Sequence, residues 1–196
     1  ISSSMKDDLD IISSEIDRME NFTKDFLKFA KPADPVFAEV NPIFSLTEIT
    51  QLLKPRFKKN NIFLFENKIE LGCKALADSS QLKQVYMNII LNAIDVMPNG
   101  GTFTIESQIV SEVVSKNTNT SSNFIRIDFT DTGPGIPKAI LGNLFEPFIK
   151  GSDLGVGIGL SISQSIANLH GGWISAQNNQ NQLGATFSLY IPVLKS

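Results

Sequence analysis

Apolar residues near the start of the chain recur with a seven-residue period. Met5, Ile12, Met19 and Phe26 form one series, and Leu9, Ile16, Thr23 and Ala30 the interleaved one, with charged residues on the other faces. This a/d seam predicts one long helix over residues 5–30. Such a stripe must be covered, either as a core helix of a globular fold or as one arm of a hairpin or bundle. Lys31-Pro32-Ala33-Asp34-Pro35 cannot continue a helix, so it predicts a boundary between residues 1–32 and a larger domain over residues 33–196.

Beyond the boundary the periods shorten. Residues 41–45 predict a short strand, 46–59 a helix bent or shortened by Pro55, and 62–69 and 74–77 two strands. Asp78 or Ser79 can cap a helix that runs to about Met97. Pro98-Asn99-Gly100-Gly101 reads as a turn, and residues 102–109 and 124–130 alternate as strands around a polar loop at 115–122. A helix over 157–169 and strands at 173–176 and 185–193 complete the pattern. Strands and helices interleave without βαβ repetition, which predicts an α/β fold, a two-layer sandwich with a mixed sheet.

Composition narrows the partners. A net charge of -3 and a pI near 5.2, with no basic stripe, argue against nucleic acid and anionic membrane surfaces. No apolar run approaches the ~20 residues of a membrane span and no signal peptide opens the sequence, so a soluble, cytoplasmic chain is expected. Cys73 is the single cysteine, in an apolar run, and reads as a buried inert thiol.

The helix after Asp78 has an unusual wheel. At about 100° per residue, Gln81, Gln84, Asn88, Asn92 and Asp95 fall on one narrow ridge, while Leu82, Val85, Tyr86, Ile89, Ile90 and Ile94 make the rest apolar. A buried helix with a polar ridge either meets water at one edge or lines a cleft. Amide oxygens are hard, neutral ligands for Mg²⁺, and two asparagines one turn apart can meet a metal on a triphosphate without the repulsion of paired carboxylates.

Two glycine segments follow. Asp131-Thr132-Gly133-Pro134-Gly135 comes directly after a strand. It is either a tight turn or a site where an ionised carboxylate accepts from the amine of a flat ring such as adenine. Gly155-Val156-Gly157-Ile158-Gly159-Leu160 opens a helix, where backbone N–H groups suit phosphate. Between them, Phe145-Glu146-Pro147-Phe148 reads as a lid that docks through its rings, or as an ordinary hydrophobic clip.

The order Asn88-x-x-x-Asn92-Ala93, Asp131-x-Gly133-x-Gly135, Phe145-Glu146-Pro147-Phe148 and Gly155-x-Gly157-x-Gly159 resembles the N, G1, F and G2 boxes of sensor histidine kinases. The stretch from Asn92 to Gly101 is similar to the nitrogen-regulatory branch of that family. The resemblance implies the Bergerat ATP-binding fold of the GHKL superfamily, with ATP and Mg²⁺ as cofactors. It also implies transfer of the γ-phosphoryl to a histidine outside this chain and then to the receiver domain of a response regulator.

By position it implies Asn88 on the metal, Asn92 on phosphate or metal, and Asp131 on the adenine amine. Gly133 and Gly135 would shape the adenine pocket, Gly155, Gly157 and Gly159 would cradle phosphate, and Thr186 would help hold adenine through water. Asp95, Ile136, Phe148, Val156, Ile158 and Leu160 complete the nucleotide-binding set, and Lys150 joins Asn88 and Asn92 as a catalytic residue. Residues 1–32 resemble the second helix of the dimerisation and phosphotransfer hairpin, which implies a homodimeric parent that a membrane can anchor.

Three features depart from the family. No acceptor histidine motif is present; the lone His170 ends a helix and reads as a structural or capping residue; and Lys150-Gly151-Ser152 stands where Thr-Thr-Lys is usual in the lid. The chain is therefore expected to bind nucleotide without labelling itself. The alternative is a degenerate nucleotide-binding module that regulates a partner without kinase activity. A gyrase-like ATPase is disfavoured by the Phe145 and Phe148 box.

Overall fold

The computed structural model describes residue 12 and residues 34–115, 120–149, 157–180 and 183–194. Apart from Ile12, helical and exposed, the heptad helix over residues 5–30 lies outside the described residues. By its internal contacts the chain divides into two units, Ile1–Asp34 and Pro35–Ser196, and every element named below belongs to the second.

Asn41 decides where the first helix begins. Its side-chain oxygen accepts from the Ile43 N–H at 2.9 Å, and Pro42 sits in the first turn, where a missing N–H costs nothing. The strand expected at 41–45 is therefore the start of helix α1, Pro42–Lys59, and the strand, β1, is Ala38–Val40 just before it. Helix α1 continues through Pro55 and buries Ile43, Leu46, Ile49, Leu53 and Phe57 at helical spacing. Strands β2, Ile62–Asn67, and β3, Ala75–Ala77, follow; β3 pairs antiparallel with β1 in a two-stranded sheet.

Helix α2, Ser79–Asp95, is capped by Asp78, whose carboxylate accepts from the Ser80 and Gln81 N–H groups. Strands β4, Gly101–Ser115, and β5, Thr120–Asp131, form a long antiparallel hairpin that pairs as far as Ser115 and Thr120, with a register shift between Val113 and Ser115. Both ends of the polar loop expected at 115–122, residue 115 and residues 120–122, are thus strand, and residues 116–119 lie outside the described residues. Backbone pairing carries β5 back from Phe124 to Thr120 through polar residues alone, so the hydrophobic pattern could not announce that part of the strand. A short helix α3, Lys138–Leu141, helix α4, Gly159–Leu169, and strands β6, Trp173–Asn178, and β7, Ala185–Pro192, complete the unit.

The main sheet has the order β2-β4-β5-β7-β6, parallel between β2 and β4 and antiparallel elsewhere. This is the mixed α/β sandwich the interleaved pattern predicts. Alternation gives β4 and β5 one buried face, carrying Phe103, Ile105, Ile125, Ile127 and Phe129. Helices α1 and α2 pack on that face: Phe57 stacks on Phe103 with centroids 5.7 Å apart, and Tyr86 lies 6.1 Å from Phe129. The opposite face carries the Arg126–Asp128 ion pair and Trp173 stacked on Tyr190. Cys73 is buried, and desolvation pushes its thiol up to about 11, as suits an inert core residue.

Candidate functional site

Helix α2 is pinned to its neighbours by its apolar faces. Leu82, Val85, Tyr86, Ile89 and Ile90 are almost fully buried, and the Tyr86 hydroxyl donates to the Pro42 carbonyl. The polar ridge is consequently fixed in place. Gln84, Asn88 and Asn92 are half-buried along it, and Asp95 at its end is exposed.

Asn88 faces the start of α4. Its amide nitrogen donates to the Gly159 carbonyl at 3.0 Å and to the Ser163 hydroxyl at 3.1 Å. A carbonyl oxygen can only accept, so the nitrogen must be the atom on that side. The Asn88 amide oxygen is left without a hydrogen bond among the described residues, as is the whole Asn92 amide. Half-buried amides held this way cost stability unless something polar meets them.

Asp131 ends β5 and is 4% exposed. The Gly133 N–H, 2.8 Å away, and the Ala185 N–H, 3.3 Å away, both donate to its Oδ1; its Oδ2 has no partner among the described residues. Burial raises the pKa of this carboxyl, and the two N–H groups act against that rise. Close approach explains the glycines. A Cβ on Gly184, at φ +104°, would lie 1.9 Å from the Asp131 carbonyl oxygen, and one on Gly133 would meet Asp131 Oδ1 at 2.9 Å and Val96 at 3.1 Å. The end of α2 thus lies against the turn that follows β5.

The register corrects one assignment. Thr130 pairs with Thr186, so Thr186 sits on the sheet face opposite Asp131. There it donates to the Asn179 side chain at 2.8 Å and shares a hydrogen bond with Thr130. Ala185 takes the place beside Asp131. A one-residue step along a strand reverses the face, which places the Thr186 hydroxyl away from any ring held by Asp131.

The lid motif splits in the same way. Phe145 packs, with Leu160, against a small cluster of Ile136, Leu144 and Ala185. Ile136 is held by a reciprocal clamp: its N–H donates to Asn178 Oδ1 at 2.6 Å, and Asn178 Nδ2 donates to its carbonyl at 2.8 Å. Ile136 and Leu160 therefore serve as packing residues, and Ile158, 1% exposed, has only its backbone to offer. Phe148 is 54% exposed at φ +67°, and its N–H donates to the Gly157 carbonyl at 2.8 Å. Gly157, at φ +76°, has no room for a Cβ, which would lie 2.5 Å from the Ile149 carbonyl oxygen. Lys150, Gly155 and Val156 lie outside the described residues.

His170 is a structural residue, as read. It is 5% exposed; its Nδ1–H donates to the Ile166 carbonyl, and its Nε2 accepts from the Asp78 N–H at 2.9 Å. With both nitrogens engaged it has none to offer a phosphoryl group. Sequence reasoning missed Ser163, Asn178 and Asn179, although Ser163 stands one helical turn after Gly159 and was open to the same wheel argument.

The donor set suits a magnesium ion shared with phosphate. Among the described residues no three His, Cys, Asp or Glu side chains cluster. The Asn88 amide oxygen offers one hard ligand at the helix start, where phosphate oxygens and water would supply the others.

Residues 77–195 match the family model described as histidine kinase-, DNA gyrase B-, and HSP90-like ATPase. Sporulation kinase C of Bacillus subtilis is 34% identical over 191 residues, covering 96% of this chain and 41% of that protein. Sporulation kinase A of the same organism is 30% identical over 184 residues, covering 93% and 28%. The chain thus spans less than half the length of these curated relatives. Among solved structures, histidine kinase ThkA in complex with response regulator protein TrrA covers 99% of this chain and 53% of its own at 27% identity, with a TM-score of 0.76. Full-length ShkA in complex with AMPPNP shares the fold, with a TM-score of 0.79 at 21% identity, covering 100% of this chain and 40% of its own. The chain belongs to the family of histidine kinase-, DNA gyrase B-, and HSP90-like ATPases.

Proposed function

We propose that this domain holds Mg-ATP between helix α2 and the turns after β5 and before α4, and positions the γ-phosphoryl for transfer to a histidine outside the chain. Asp131 Oδ2 would accept from the adenine amine, and Asn92 would meet the phosphates. The start of α4 would present backbone N–H groups to them. The magnesium ion, held by the Asn88 amide oxygen, would offset charge on the phosphoryl oxygens. In the transfer the bond from the γ-phosphorus to ADP breaks as a phosphorus–nitrogen bond forms, and an acidic group beside the acceptor takes the imidazole proton. What this chain contributes is positioning and electrostatics, which carry most phosphoryl-transfer catalysis.

The observation that carries this reading is the pair of acceptors without partners among the described residues, Asn88 Oδ1 and Asp131 Oδ2, each fixed because the rest of its side chain is already bonded. Residues 1–32 would form part of a dimerisation hairpin ahead of the catalytic domain at 33–196. The receiver domain of a response regulator would take the phosphoryl group onward, in a cytoplasmic setting. Among the described residues no helix is long and apolar enough to cross a membrane.

Calorimetry with AMPPNP, with and without Mg²⁺, tests the binding step. Binding that Mg²⁺ strengthens, and that Asn88→Ala makes indifferent to Mg²⁺, is expected; a folded wild type with no affinity for the nucleotide ends the reading. Adding a separate hairpin fragment that bears an acceptor histidine, together with radiolabelled ATP, tests the transfer. Label on the fragment and none on this chain is expected.

A further inference from the structure

We propose that Ser163 is the positioning residue for the metal ligand: it holds the Asn88 amide in the orientation that turns its oxygen toward the magnesium ion. The inference rests on the Mg-ATP reading of the site.

Ser163 is 0% exposed, and its hydroxyl stands between two groups. It donates to the Gly159 carbonyl at 2.8 Å, which uses its one proton. Its lone pairs then face the Asn88 amide nitrogen at 3.1 Å, and that nitrogen also donates to the same Gly159 carbonyl at 3.0 Å. The three groups close a ring in which the Asn88 amide nitrogen faces two acceptors. A flipped amide would set its oxygen against the Gly159 carbonyl, and the ring would open. The Gly159 carbonyl decides which end of the asparagine faces the site, and the Ser163 hydroxyl, its proton already spent, adds the second acceptor that holds it there.

A plainer role is available to any serine in a helix. Its hydroxyl often bonds the carbonyl four residues back and does nothing more. Ser165 does this here, donating to the Ser161 carbonyl at 3.0 Å. Ser163 differs from Ser165 in receiving a second side chain, and that side chain is the one metal ligand expected.

The test compares Ser163→Ala, Ser163→Thr and Asn88→Ala with the wild-type chain. One readout is the ratio of AMPPNP affinity with Mg²⁺ to that in EDTA. The other is the NMR signal of the Asn88 side-chain amide in the nucleotide-free protein. Ser163→Ala should lower the Mg²⁺ ratio about fivefold, the worth of one ordinary hydrogen bond, while leaving affinity in EDTA unchanged. It should also remove exchange protection from one of the two Asn88 amide protons, and Ser163→Thr, which keeps the hydroxyl, should restore both readouts if it folds.

An unchanged ratio and unchanged amide signals in Ser163→Ala, with the ratio lost in Asn88→Ala, would overturn this proposal and leave the Mg-ATP reading standing. A ratio that Asn88→Ala leaves intact would overturn both. The amide signals need no nucleotide, so they decide the role of Ser163 even in a chain with weak affinity.

Discussion

Helices α2 and α4 meet at two places that are built in opposite ways. Where α2 begins and α4 ends, the Asp78 and His170 side chains are fully engaged. Asp78 accepts from Ser80, Gln81 and the Val36 N–H, while His170 spends one nitrogen on the Asp78 N–H and the other on Ile166. Toward the start of α4 and the turn after β5, Asn88 Oδ1, the Asn92 amide and Asp131 Oδ2 have no partner among the described residues. The acceptors at the second place are not sealed within the core. The closed end spends its hydrogen bonds on the fold, and the open end keeps acceptors that a ligand with donors or a cation can satisfy.

Substitutions should therefore separate stability from binding. The largest effect is expected at the closed end. Asp78→Ala removes a helix cap and strands buried N–H groups, and should cost about 2–4 kcal/mol in chemical denaturation while nucleotide affinity in the folded fraction stays near wild type. A comparable loss of affinity without loss of stability would mean that the two ends are not distinct. His170→Ala should follow at about 1–3 kcal/mol, because the Asp78 N–H loses its acceptor, and transfer to a separate acceptor fragment should persist.

At the open end the pattern should invert. Asp131→Asn preserves shape but weakens the charged acceptor, so AMPPNP affinity should fall about tenfold to a hundredfold with little change in unfolding free energy. A smaller effect is expected from acid. Burial alone would raise the Asp78 carboxyl, but its bonds from Ser80, Val36 and Gln81 outweigh this and lower it from 3.8 to about 2. A carboxyl depressed in the folded state stabilises fully above its unfolded pKa and loses that contribution as pH falls through the folded one. Stability should accordingly decline between about pH 4 and pH 2, and Asp78→Asn should flatten that part of the profile.

Much of the fold was legible because its signals are local. The Asp78 cap, the alternation of β4 and β5, and the apolar wheel of α2 each reside in a few consecutive residues. The errors were local choices settled by context. Asn41 read as strand until its side chain was seen capping α1, and the polar stretch near residue 120 read as loop because ladder bonds leave no mark in a hydrophobic pattern. Thr186 was misplaced for a sharper reason: its face depends on the register of β7 against β5, which no property of residues 184–187 contains.

The sequence by itself determined the polar ridge, the glycine turns and their order, since helical period and the absence of a Cβ are properties of the chain. Only the tertiary structure decided which atom of each side chain remains available. Asn88 presents its oxygen because Gly159 and Ser163, more than seventy residues away, take its nitrogen; Asp131 presents Oδ2 because Gly133 and Ala185 take Oδ1. Hydrogen bonds between distant segments consume one end of a group and leave the other, and that choice exists only once the segments are packed together.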